Sequence, residues 1–158
     1  MEIIVNDCLK VARIAMEEGR KLDEAIFLHT LNHTNTRYQR IGKVAVNLVD
    51  MFPDKGTIMT QCFGETIVGL MLREAKNRNK EIKVITPETR PYFQGARLTA
   101  SVAYDQGFDV TVITDNMPAY VMEKKKVDLF TSAADAICLD GYVVNKIGTY
   151  QIAIVSKY

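Results

Sequence analysis

The chain reads as an α/β protein, a Rossmann-like, mostly parallel sheet with helices on both faces, preceded by a helical segment. Three observations predict this. From Thr57 onward, short apolar runs alternate with helix-length stretches. Those runs are near-continuous rather than alternating, as strands covered on both faces require. The first fifty-five residues instead carry apolar residues at helical spacing.

Ile3, Ile4, Cys8, Val11, Ile14 and Ala15 fall on one helical face, and Gly19 ends that helix. A second helix opens near Leu22 with Asp23 and Glu24 in its first turn. It continues irregularly through Ile41, Val44 and Leu48 until Pro53 and Gly56. Residues 1–55 are therefore assigned to the helical segment and residues 56–158 to the α/β domain. The first strand is Thr57 to Thr60, followed by a helix from about Thr66 to Asn77. Ile82 to Thr86 is the second strand, and a helix from about Gly95 to Gln106 follows its loop, capped by Gly107. Val110 to Thr114 is the third strand. Asp115, Asn116 and Pro118 open the next helix, with proline at an early helical position. Val127 to Thr131 is the fourth strand, Asp140-Gly141 a tight turn, and Ile147 to Lys157 the last helix.

A chain of 158 residues can bury a real core, and 47% hydrophobic with 25% charged residues is ordinary for a soluble domain. Twenty basic against nineteen acidic residues leave a net charge of +1, which gives no pull toward nucleic acid or membrane. The basic run Lys124 to Lys126 sits at a helix end, where it complements the dipole. No apolar stretch approaches the ~20 residues of a membrane helix, and the N-terminus lacks a signal-peptide pattern. Three widely spaced cysteines, Cys8, Cys62 and Cys138, suit free thiols in a reducing cytoplasm better than a disulfide framework. His29 and His33 stand at i and i+4, but no third ligand lies near them in sequence, so they read as a solvated helix face.

In open α/β sheets, ligands bind at the carboxyl ends of the strands. Cys62 lies there, between the first strand and a helix whose positive end favours a thiolate. Position alone leaves it open between an acid–base group and a buried structural cysteine. Asp135 follows the fourth strand among Ala133, Ala134 and Ala136. It is either an acid–base carboxyl or a turn cap. Asn145-Lys146 precedes the last helix. The pair is either a phosphate site at a helix N-terminus or an N-cap beside a solvated lysine. Gln94 begins the helix after the second strand. Glu88 and Arg90 read as a structural ion pair bracing the loop, with Arg97 one turn on from Gln94.

Three blocks in order, TIMTQCFGE at 57–65, PETRPYFQGARLTASVAYDQ at 87–106 and DAICLDGYVVNKIGT at 135–149, carry a resemblance. Over roughly residues 35–158 the chain resembles the S-methyl-5-thioribose-1-phosphate isomerase family. Those aldose-phosphate isomerases share their fold with the regulatory subunits of initiation factor 2B. The resemblance implies Cys62 and Asp135 as the catalytic pair, with Gln94, Asn145 and Lys146 binding a small-molecule sugar phosphate. It implies aldose-to-ketose conversion in methionine salvage, with no metal or redox cofactor, in a cytoplasmic homodimer. The family block is usually Thr-His-Cys-Asn; here it is Thr60-Gln61-Cys62-Phe63. That departure keeps related substrates open, such as ribose 1,5-bisphosphate or 5-deoxyribose 1-phosphate. A non-catalytic regulatory subunit is the alternative of another class. Family members also have an N-terminal domain with an Arg-Gly-Ala phosphate-binding segment and further C-terminal strands. Relative to them the chain reads as truncated at both ends.

Overall fold

The computed structural model describes residues 2–158. Two helices come first, α1 (Glu2–Glu17) and α2 (Leu22–Asp50). Four parallel strands follow, β1 (Lys55–Gln61), β2 (Glu81–Pro87), β3 (Asp109–Ile113) and β4 (Leu129–Ser132), with spatial order β3-β2-β1-β4. Between them lie α3 (Glu65–Asn77), a π-helical turn (Gly95–Thr99) running into α4 (Ala100–Asp105), and α5 (Pro118–Lys124). A two-stranded antiparallel hairpin, β5 (Ala136–Ile137) and β6 (Val143–Val144), leads to α6 (Thr149–Lys157).

The register is that of a regular parallel sheet. Ile58 stands beside Val84 on one side and Leu129 on the other. Successive residues of each strand point to opposite faces, and two apolar clusters result. Ile58, Ile82 and Val84 pack with Val49 and Phe52 from the end of α2 and its following turn, Leu72 of α3 and Ala103 of α4. Met59, Ile85 and Ile113 pack on the other face with Val121 of α5 and Ile152 of α6. Burying one such aliphatic side chain is worth about 1.5–3 kcal/mol, so the continuous apolar runs are explained by cover on both faces.

The chain divides into two compact units, Met1–Ile41 and Gly42–Tyr158. In the first, the Arg20 N–H donates to the Ala15 carbonyl at 2.8 Å, closing α1 through Gly19. The second holds the end of α2 and the entire sheet.

The structure corrects four local expectations. The second helix does not become irregular; α2 is unbroken from Leu22 to Asp50 despite the low-propensity Thr30 to Thr36 stretch. The helix after β2 opens with a π turn rather than regular α geometry. The last helix begins at Thr149, not Ile147, because Gly148 adopts a left-handed φ of 103° just before it. The hairpin was not anticipated, although its Asp140-Gly141 turn was: each strand has only two residues, too few to show periodicity.

Candidate active site

The helices that follow β1 and β4 lie on opposite faces of the sheet: α3 belongs to one apolar cluster and α6 to the other. β1 and β4 are hydrogen-bonded neighbours, and helices leaving adjacent strands for opposite faces are the arrangement in which open α/β sheets build a ligand crevice at the carboxyl ends. Of the residues singled out in the sequence, Cys62 follows β1 and Asp135 follows β4.

Cys62 leaves β1 with a left-handed φ of 64° and is half-buried. An L-residue rarely adopts this conformation, and a neighbouring contact holds it: the Thr99 hydroxyl donates to the Cys62 carbonyl. Gly64 then caps α3 in an extended conformation. A Cβ there would stand 2.8 Å from Cβ of Ala133, so only glycine lets the loop after β1 close on the end of β4, two residues before Asp135.

Gln61 is 2% exposed. Its amide nitrogen donates to the Ile147 carbonyl at 3.2 Å, tying the end of β1 to the segment before α6. That carbonyl can only accept, which fixes the amide orientation. Gln61 Oε1 is buried and has no hydrogen-bond partner among the described residues; the same holds for Gln94 Oε1. A buried acceptor left unpaired costs about 1–3 kcal/mol, so these two oxygens mark where the edge of the sheet is polar and unsatisfied.

The loop after β2 is tightly braced. Asp115 accepts the backbone N–H of Thr89 at 2.8 Å and of Arg90 at 2.7 Å. Thr89 and Phe93 both have positive φ, 62° and 57°, and Thr89 is 1% exposed. Gly95 seats the following helix against the loop: an added Cβ would lie 1.8 Å from the Pro87 carbonyl oxygen. Glu88 and Arg90 form no ion pair among the described residues. The Arg90 guanidinium instead stacks 4.7 Å from the centroid of the Phe93 ring, so Asp115 is the brace that the ion pair was expected to be.

Gln94 stands at the start of the π turn, half-buried. Lys146 places its ammonium 4.9 Å from the Tyr92 ring centroid, joining the segment before α6 to the loop after β2. Asn145 donates through Nδ2 to Thr149 Oγ1 at 3.1 Å, in the first turn of α6. Asp135 lies on the link between β4 and β5, its N–H bonded to the Val144 carbonyl at 2.8 Å. It is solvent-exposed rather than enclosed by its alanine neighbours. No hydrogen bond joins Cys62 to Asp135 among the described residues. Beside this edge, an open groove of about 600 Å³ runs between the hairpin turn and α6; it includes Asn145 and Lys146 but not Cys62, Gln94 or Asp135.

Four contacts thus stitch the loops together: Gln61 with Ile147, Thr99 with Cys62, Gly64 with Ala133, and Tyr92 with Lys146. Thr99 escaped the sequence reading, and Asp115 was read there only as opening the next helix. Both act on backbone atoms far away in sequence, and neither residue type signals that. Among the described residues no group of three His, Cys, Asp or Glu side chains could hold a metal ion. His29 and His33 lie along α2, half-buried and exposed respectively.

Comparison with known proteins supplies the lineage. A methylthioribose-1-phosphate isomerase of Heliobacterium modesticaldum is 37% identical over 166 aligned positions, covering 99% of this chain and 46% of that protein. The crystal structure of translation initiation factor eIF-2B, subunit delta, from A. fulgidus superimposes with a TM-score of 0.77 at 33% identity, over 94% of this chain and 46% of that one. The 5-methylthioribose 1-phosphate isomerase of Pyrococcus horikoshii gives 0.75 at 29% identity, over 94% and 44%. The chain spans about half the length of these relatives or less. The model of the initiation factor 2 subunit family matches residues 12–158, and the chain belongs to that family.

Proposed function

We propose that this chain carries the catalytic-type domain of an aldose–ketose isomerase that converts S-methyl-5-thioribose 1-phosphate to S-methyl-5-thioribulose 1-phosphate in methionine salvage. The observation that carries the reading is the placement of Cys62 at the β1/β4 crevice, in a left-handed conformation held by a buried hydroxyl. Relatives named for this activity support it. The reaction opens the sugar ring and moves a proton between adjacent carbons through a cis-enediol. The C2–H bond breaks to a base, and the bond from C1 to the ring oxygen opens as that oxygen is protonated. C1 then gains a proton while the C2 hydroxyl becomes a carbonyl. C1 is reduced and C2 oxidised within one molecule, so no outside oxidant is consumed. Cys62 and Asp135 divide this proton traffic. Lys146, Asn145 and the N–H groups opening α6 take anionic and hydroxyl oxygens, and Gln94 offers its unpaired amide oxygen to a hydroxyl.

Turnover followed by NMR tests the reading. Cys62→Ser and Asp135→Asn are each expected to lower kcat by about 10²- to 10⁴-fold, the usual worth of a positioned acid or base. Unchanged rates in both variants overturn it. Gln61 and Phe63 favour testing ribose 1,5-bisphosphate and 5-deoxyribose 1-phosphate alongside.

The likeness to the A. fulgidus eIF-2B subunit favours a second reading, a non-catalytic regulatory subunit. Recovery of exchange-factor subunits in a pulldown, without turnover of any sugar phosphate, would establish it. Under either reading we place the protein in the cytoplasm as a homodimer built through its α/β domain. No helix among the described residues is long and apolar enough to cross a membrane.

A further inference from the structure

The π turn at Gly95–Thr99 has no part in the proton traffic above, yet it delivers a fully buried hydroxyl to the backbone of Cys62. In a helix, serine and threonine hydroxyls ordinarily bond back to the carbonyl one turn earlier. Ser101 does this, donating to Arg97 O at 2.8 Å. Thr99, two residues away and 0% exposed, does not; its hydroxyl crosses to the Cys62 carbonyl. The π geometry accompanies the crossing. The Gly95 carbonyl is taken by the N–H of Ala100, five residues on, and Gly95 itself is pressed onto the Pro87 carbonyl. Single π turns of this kind occur often at functional sites.

The recipient is the unusual partner. β1 ends at Gln61 and α3 is capped by Gly64, so the Cys62 carbonyl belongs to neither ladder. A left-handed L-residue persists only where its surroundings over-determine it, and the Thr99 hydroxyl is the donor that does so. We propose that Thr99 is a positioning residue for Cys62. By holding the Cys62 backbone left-handed, it fixes the direction in which the thiol leaves the chain, and so the thiol's reactivity at the crevice. The catalytic part of this inference rests on the reading of Cys62 as a proton-transfer group; the part concerning thiol reactivity does not.

Thr99→Val keeps the shape and removes the donor. With Cys8→Ser and Cys138→Ser as background, iodoacetamide alkylation of Cys62 is expected to slow about fivefold, the usual worth of one hydrogen bond. In the enzyme, kcat should fall by a similar factor while KM stays within about twofold, since the substrate-binding groups are untouched. Thr99→Ser should restore both. A lower melting temperature with unchanged alkylation, kcat and KM would mean a purely structural hydroxyl and would overturn the proposal. If Thr99→Val does not fold at the assay temperature, Thr99→Ser against Thr99→Ala in the cold makes the same comparison. If the wild-type protein turns over no sugar phosphate, the isomerase reading fails and the alkylation rates alone decide the role of Thr99.

Discussion

Asp128 shows how one side chain joins distant segments and what pH should do to the join. It receives the Lys126 ammonium at 2.9 Å and the Thr57 N–H at 2.9 Å, anchoring the start of β1 to the link before β4. The hydrogen bond from Lys126, then that from the Thr57 N–H, holds its carboxyl below the ordinary aspartate value of 3.8. A carboxyl lowered on folding stabilises the folded state fully above its ordinary value and loses that contribution as pH falls through the lower, folded value. Lys126 is largely exposed, so screening keeps the effect small. Asp128→Asn can still accept the Thr57 N–H but carries no charge. The wild-type protein is therefore expected to lose more stability than this variant as pH falls below about 4, the ordinary carboxylate range. Urea unfolding of both proteins at several pH values measures the difference. Parallel curves would show that the charge contributes nothing.

At the scale of elements, the loop after β2 depends on Asp115 at the start of the next connection. Its two oxygens accept adjacent N–H groups of a loop that holds Thr89 and Phe93 at positive φ. Asp115→Ala should cost about 2 kcal/mol by urea unfolding, the worth of charge-assisted bonds to a carboxylate. It should also speed amide exchange at Thr89 and Arg90; unchanged exchange there would sink the idea. Asp115 also marks the boundary of what could be read from sequence. The four parallel strands were legible because burial on both faces leaves near-continuous apolar runs, and the helices because Gly107 and Pro118 punctuate them. Their ends shifted by a residue or two, as for β1, which extends to Lys55 and Gln61. The position of Cys62 just past the carboxyl end of β1 followed from the order of strand and helix along the chain, and Asn145-Lys146 was legible only as preceding the last helix. The contacts that hold them were not legible. The Thr99 hydroxyl, the Gln61 amide and the Asp115 carboxylate all reach across to backbone atoms, and backbone acceptors and donors leave no mark on the residue types around them.

At the scale of the molecule, the hairpin and the start of α6 pose a problem of exposed apolar surface. Ile137, Leu139, Tyr142, Ile147 and Tyr150 are all more than 70% exposed, and Tyr142, Ile147 and Tyr150 line the groove between the hairpin turn and α6. Scattered apolar residues on a surface need no explanation, but a contiguous patch of more than a few hundred Å² marks an interaction surface. A stable interface needs about 800 Å² from each partner, with aromatic anchors at its centre and few charges. Tyr142 and Tyr150 supply aromatic anchors, and a net charge of +1 leaves little repulsion between two copies. The homodimer proposed through the α/β domain is therefore expected to use this surface. Sedimentation at micromolar concentration should give a dimer. Leu139→Lys should shift it toward monomer without lowering the melting temperature of the isolated chain, because Leu139 has no buried contacts to lose. A wild-type protein that stays strictly monomeric would remove the dimer. A dimer indifferent to Leu139→Lys and Ile147→Lys would place the interface elsewhere on the α/β domain.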